Sequence, residues 1–270
     1  METVAVIIPT YGHFDYAADA VHSLFKNTKI KPYAIIVDDA SPDFYTNFTC
    51  INPKLKELTL SYGNQVHIIS FSQNGGLTRS WNEGLRIARD LSTDLAVCTN
   101  SDVLFSPGWD TAIIAALNHG YTLVGPVTNT PGTEPHQYVG KFSSCYLSKY
   151  KADPSEKALT EVAKELTTIK PQFFSATLNG FCLAALTKNW FAYSYDKDVP
   201  FRPRNDYDSR GRPNPTPLMT LQEYELQRRW HALGLLTGVA MSYVFHYRSI
   251  SRGKKYLKGD FAKRNNQQSK

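Results

Sequence analysis

Short apolar runs alternate with longer stretches of helical period along the first half of the chain. Residues 4–8, V-A-V-I-I, form an unbroken run closed by Pro9, and residues 33–37 (Y-A-I-I-V), 66–71 (V-H-I-I-S-F) and 94–99 (D-L-A-V-C-T) repeat the pattern. Continuous apolar runs of this length predict strands buried on both faces, as in parallel sheets. Between them, Phe14, Ala17, Ala18, Val21, Leu24 and Phe25 fall on one helical stripe over 14–26. A weaker helix is expected over 53–61, and Leu77, Trp81, Leu85 and Ala88 mark another after the Gly75-Gly76 pair. Pro107 predicts the first turn of a helix through Leu117, where its missing donor is harmless. A fifth short strand is expected over 121–124. Four strand–helix alternations in 125 residues call for an α/β fold with a central, mostly parallel sheet, right-handed crossovers and flanking helices.

Beyond residue 125 the rhythm changes. Residues 126–152 are rich in Gly, Pro, Thr and Ser and read as a long loop, a length that favours a functional wall or lid. An amphipathic helix follows over 155–168, and F181-C-L-A-A-L186 predicts a strand returning antiparallel to the sheet. Residues 195–219 mix prolines with both charges and read as a second loop that includes Arg202, Arg204, Arg210 and Arg212. A last helix is expected over about 220–233, then a strand ending in V244-F-H246. No repeat or linker divides the chain, so one domain over 1–250 is expected, with a tail at 251–270.

Bulk properties narrow the class. No stretch approaches the eighteen apolar residues of a membrane span, and the N-terminus reads as a first strand, not a signal peptide. Cysteines 50, 98, 145 and 182 form no C-x-x-C pair, which predicts free thiols in a reducing compartment, the cytoplasm. The net charge of +6 is concentrated after Ser251, where seven Lys and Arg residues face Asp260 alone. Such a tail is either solvated or drawn to anionic lipid on the membrane's cytoplasmic face. The basic residues form no stripe along a helix, so nucleic acid is not an expected partner.

Polar clusters follow the strands repeatedly: Thr10-Tyr11, Asp38-Asp39, Gln73-Asn74 and Asn100-Ser101-Asp102. Strand carboxyl ends share one sheet edge, so these clusters are expected to converge in one crevice, where open α/β sheets bind ligands. P9-T-Y-G-H-F14 lacks the glycine fingerprint of a dinucleotide site, and no P-loop motif occurs. The aspartate pair suits either ribose and base contacts or an Asx turn through Ser41-Pro42. Asp102 and His246 would suit a shared Mn²⁺ or Mg²⁺ completed by diphosphate oxygens. Glu223 is in phase with Leu226, Trp230 and Leu233, on the inward face of its helix, with Glu225 about 200° away. T220-L-Q-E223 also matches a capping box, so a cap and a general base are both open for Glu223.

These residues, taken together, resemble the GT-A fold glycosyltransferases of family 2, inverting enzymes that use nucleotide-sugars. The matching pieces are V6-I-I-P-T-Y11, V37-D-D-A-S-P-D43, N74-G-G-L-T-R-S-W-N-E-G84, N100-S-D102 with P107-G-W109, G180-F-C182 and Q222-E-Y-E-L-Q-R-R229, ending in His246. The resemblance implies a Rossmann-like nucleotide-binding half and an acceptor-binding half. It implies nucleotide-sugar contacts from Thr10, Tyr11, Asp39, Asn74, Gly76, Arg79, Asn82, Ser101 and Asp102, and a metal on Asp102 and His246. It puts Glu223 at the catalytic base position and Trp109, Gly180, Glu225 and Arg229 beside the acceptor and transition state. Asn100-Ser101-Asp102 stands where the family usually writes D-x-D or N-D-D, and Gln222-Glu223 where it usually ends in Asp. The implied activity moves a sugar from a dTDP- or UDP-sugar, in rhamnosyltransferase-like fashion, to a glycan or lipid-linked hydroxyl. The alternative is a nucleotidyltransferase or a non-catalytic nucleotide-binding α/β protein. A nucleotidyltransferase would want a basic, glycine-rich loop where Thr10-Tyr11-Gly12 stands.

Overall fold

A computed structural model describes residues 1–46, 50–202 and 222–247. The first half runs β1 (Thr3–Thr10), α1 (Phe14–Asn27), β2 (Lys31–Asp38), a small ribbon of β3 (Tyr45–Thr46) and β4 (Cys50–Ile51), α2 (Pro53–Tyr62), β5 (Val66–Ser70), α3 (Leu77–Asp90) and β6 (Leu95–Thr99). Strands β5, β2, β1 and β6 lie side by side and are all parallel. Val4 to Ile8 of β1 are fully buried. Because alternate strand residues point to opposite faces, Val4, Val6 and Ile8 pack with α1 and α2, while Ala5 and Ile7 pack with α3. Gly84 permits that second contact: a Cβ there would sit 2.3 Å from Cγ2 of Ile7.

The second half continues with β7 (Val103–Phe105), α4 (Trp109–Asn118), β8 (Leu123–Val127), α5 (Ser144–Lys149), α6 (Glu156–Leu166), β9 (Phe173–Ser175), β10 (Cys182–Leu186), α7 (Thr187–Ala192), α8 (Gln222–Ala232) and β11 (Thr237–His246). β10 is the expected antiparallel return strand and inserts between β6 and β8. β11 runs parallel to β8, then shifts register between Ala240 and Tyr243 and pairs antiparallel with β7. That shift carries the end of β11 to the tip of β6, with His246 opposite Val103. The result is a nine-stranded mixed sheet between two helical layers.

Several expectations are corrected. Pro107 precedes α4, whose N-cap is Gly108 in the left-handed region, so the helix starts two residues later than the proline signal implied. The 126–152 segment is not one structureless loop: it holds two 3₁₀ turns and α5. Leu233 is exposed although in phase with Leu226 and Trp230, because Gly234 takes a positive φ and ends α8 before Leu233 can turn inward. Cys98 and Cys182 are buried free thiols, and burial raises both of their pKa values, which leaves them inert. Among the described residues no helix is long and apolar enough to cross a membrane. The 251–270 tail, Thr220 of the capping box and Arg204, Arg210 and Arg212 lie outside the described residues.

Candidate active site

The two aspartates after β2 divide the roles that were open for them. Asp38 is fully buried and accepts from the Ser41 N–H at 3.1 Å, the Ser41 hydroxyl and the Ser70 hydroxyl at 2.6 Å. It is the turn-forming residue. Asp39 points to the crevice, and the Gly75 and Gly76 N–H groups donate to its two oxygens at 2.9 and 2.7 Å. Arg79 adds a bond at 2.7 Å while its guanidinium lies 3.7 Å over the Phe71 ring. Asn74 donates to the Asp39 carbonyl, and Asn82 makes two bonds to the Phe201 backbone. Asn74, Gly76, Arg79 and Asn82 therefore hold the frame, and the surfaces that α3 offers to the crevice are Leu77, Ser80 and Trp81.

At the end of β6, Asp102 is buried and its Oδ1 stands 3.3 Å from Nε2 of His246. Asn100 Nδ2 lies 3.1 Å from the same nitrogen, and the imidazole stacks on Phe181. Asn129 clamps the His246 backbone, accepting its N–H at 2.7 Å and donating to its carbonyl at 3.0 Å; Thr130 donates to that carbonyl too. A carboxylate oxygen and an imidazole nitrogen that face each other in an open crevice are a suitable donor pair for Mn²⁺. No third His, Cys, Asp or Glu joins them among the described residues. A cation held there would need its remaining ligands from phosphate and water, the usual arrangement for Mg²⁺ and its relatives at phosphate-processing sites. His246 Nδ1 is buried with no hydrogen-bond partner among the described residues, so none of these supplies the outer-shell acceptor that normally supports a metal-bound histidine.

Glu223 is buried in the first turn of α8, with Leu226 and Trp230 of the same face fully inside. The Gly180 N–H donates to its Oε1 at 3.2 Å. Gly180 has to be glycine for that contact, since a Cβ would lie 2.7 Å from the Glu223 carboxyl carbon. The next residue, Tyr224, donates its hydroxyl to Glu134 and lies 2.8 Å from the Thr133 hydroxyl; burial, then the Glu134 bond, pushes its pKa up to about 12.

One crevice of about 500 Å³ unites these ends, and Thr10, Tyr11, Asp39, Ser101, Asp102, Gly180, Glu223 and His246 all line it. Besides Asn74, Gly76, Arg79 and Asn82, which stand behind the lining, three further expected members lie outside it. Trp109 is core, packed on Phe105 with its indole N–H donating to Thr28. Glu225 pairs with Arg229 at 3.3 Å, and Arg229 donates to the Tyr193 and Pro200 carbonyls, which ties down the 193–200 segment. Asn100 lines the crevice with its cluster, as expected, whereas the sequence reading missed Thr130, Gly132, Thr133, Asn179 and Gln222 as lining residues. Thr130 to Thr133 fall in the segment read as a wall, but nothing local singles them out.

The family model described as "Glycosyl transferase family 2" matches residues 5–178. The chain belongs to that family. No curated protein sequence matches it significantly. Among solved structures, this family 2 chain is similar to GalNAc-T7 with UDP, GalNAc and Mn²⁺, at 13% identity and a TM-score of 0.62, over 91% of this chain and 44% of that one. It is also similar to the mannosyltransferase PcManGT from Pyrobaculum calidifontis in complex with GDP-Man and Mn²⁺, at 13% identity and a TM-score of 0.51, over 91% of this chain and 56% of that one. The chain thus spans about half the length of these proteins. At such identity the likeness establishes the GT-A architecture.

Proposed function

We propose that this family 2 member moves a sugar, with inversion, from a dTDP- or UDP-sugar to a hydroxyl of a glycan or lipid-linked acceptor. The observation that carries the reading is the single crevice in which Asp39, the Asp102–His246 pair and the buried Glu223 meet. Asp39, Thr10 and Tyr11 bind the nucleoside, and Asp102 with His246 holds Mn²⁺ or Mg²⁺. The cation, when bound, supplies positive charge to the diphosphate in a crevice whose described lining holds three carboxylates, Asp39, Asp102 and Glu223, and no Lys or Arg. The two GT-A neighbours with bound nucleotide and Mn²⁺ support this assignment.

Glu223 takes the proton of the acceptor hydroxyl as its oxygen attacks the anomeric carbon. The bond to the diphosphate breaks on the opposite face, and the electron pair leaves with the nucleoside diphosphate. Release of nucleoside diphosphate from UDP-glucose, dTDP-rhamnose and GDP-mannose, with Mn²⁺ present, tests the reading. Glu223→Gln keeps the acceptor for Gly180 N–H but removes the base, so it should cut turnover by ~10²–10⁴ with melting temperature and nucleotide affinity held. Turnover within threefold of wild type, with a lower melting temperature, would leave Glu223 as a cap only.

A further inference from the structure

Three consecutive backbone N–H groups, those of Leu178, Asn179 and Gly180, each donate to a side-chain oxygen. Gln227 Oε1 accepts from Leu178 at 2.7 Å, Gln137 Oε1 from Asn179 at 2.7 Å, and Glu223 Oε1 from Gly180 at 3.2 Å. Both glutamines are buried. Gln227 Nε2 donates back to the Leu178 carbonyl at 2.8 Å and to the Glu223 carbonyl at 3.0 Å. Its amide orientation is fixed, because the Leu178 N–H can only donate and the two carbonyls can only accept. Gln137 Nε2 donates to the Pro126 carbonyl at 2.9 Å, which anchors the segment to β8.

We propose that Gln227 is a positioning residue for Glu223, clamping Leu178 to α8 while Gln137 holds Asn179, so that the Gly180 N–H meets the carboxylate. The proposal rests on Glu223 being the general base. A hydrogen bond from a mobile loop would orient a carboxylate poorly. Here the loop is fastened one and two residues before the donor, and one fastening comes from the turn of α8 that follows Glu223. Losing the alignment leaves the Glu223 carboxylate less well aimed at the acceptor hydroxyl.

The test compares Gln227→Met, close in size but without either amide bond, with wild type in the full chain. Hydrolysis of UDP-glucose, dTDP-rhamnose and GDP-mannose with Mn²⁺ is followed by nucleoside diphosphate release, and amide exchange at residues 178–180 is measured without ligand. The expected result is a 10- to 100-fold fall in kcat with a donor KM within twofold. Faster exchange should be confined to Leu178, Asn179 and Gly180. Faster exchange there with kcat unchanged would make the clamp structural only, and unchanged exchange would overturn the clamp itself. Should Gln227→Met fail to fold, Gln227→Glu carries the same kcat, KM and exchange readings at Asn179 and Gly180, since it keeps the size and an acceptor for Leu178. A wild type that hydrolyses none of the three donors would remove the glycosyltransfer reading and the base role with it, while the exchange arm still judges the clamp.

Discussion

Gly180→Ala separates activity from stability at this site. The added Cβ would stand 2.7 Å from the Glu223 carboxyl carbon and 2.9 and 3.0 Å from its oxygens, where ordinary contact begins at 3.4 Å. The carboxylate must therefore retreat by roughly 1 Å, a misplacement that costs about 10²-fold in rate, or about 2.7 kcal/mol of barrier. Folding should hardly notice. The obstacle is the end of a flexible side chain, whose off-rotamer displacement costs about 0.5–1.5 kcal/mol. Gly180 is not among the positive-φ residues, so alanine also restricts the unfolded chain, stabilising by about 0.4–1 kcal/mol. The two nearly cancel. The assay is nucleoside diphosphate release beside a thermal melt, with Gly180→Ala also placed in the Glu223→Gln background. If the alanine acts through the carboxylate, the double variant is no slower than Glu223→Gln alone. Turnover of Gly180→Ala within threefold of wild type, or full additivity in the double variant, would refute the reasoning.

Two further outcomes follow from the same contacts. A cation on His246 Nε2 leaves Nδ1–H buried with no acceptor among the described residues, at a cost of about 1–3 kcal/mol, so Mn²⁺ alone should bind weakly by calorimetry and more tightly with UDP present; Asp102→Ala should abolish that coupling, and equal affinity with and without UDP would contradict it. Glu165 is held at a pKa of about 2, below the ordinary 4.5, by bonds from Cys145, Ser143 and Ser144 that outweigh its partial burial. A depressed carboxylate contributes stability that is present above pH 4.5 and lost as the pH falls towards 2, so Glu165→Gln should flatten the melting-temperature profile across that window; an unchanged slope would count against it.

The strands of the first half were legible because a parallel strand buried on both faces has no room for polar residues, as Val4–Ile8 and Ile35–Val37 display. Their order was not, since β-branched runs carry no address. Only the tertiary structure inserts β10 between β6 and β8 and shifts the register of β11, and that shift is what brings His246 within 3.3 Å of Asp102. Strand-end carboxylates were equally legible as a group, but telling Asp38 from Asp39 depended on Ser41, Ser70 and two glycine N–H groups, most of them distant in sequence. Trp109 carried family resemblance yet belongs to the core, where its indole N–H donates to the Thr28 hydroxyl.

Gln137, Gln227 and Asn129 mark the limit of the sequence by itself. A glutamine or asparagine there reads as solvated polarity, because burying an amide is favourable only if every donor and acceptor on it is met. Whether they are met depends on backbone groups 42, 49 and 117 residues away. Sequence periodicity records which positions leave water, a local property, and so determined the layers and the edge where the site lies. The pairing of buried polar groups is set by contacts across the chain, and only the folded structure decided how Glu223 and His246 are held.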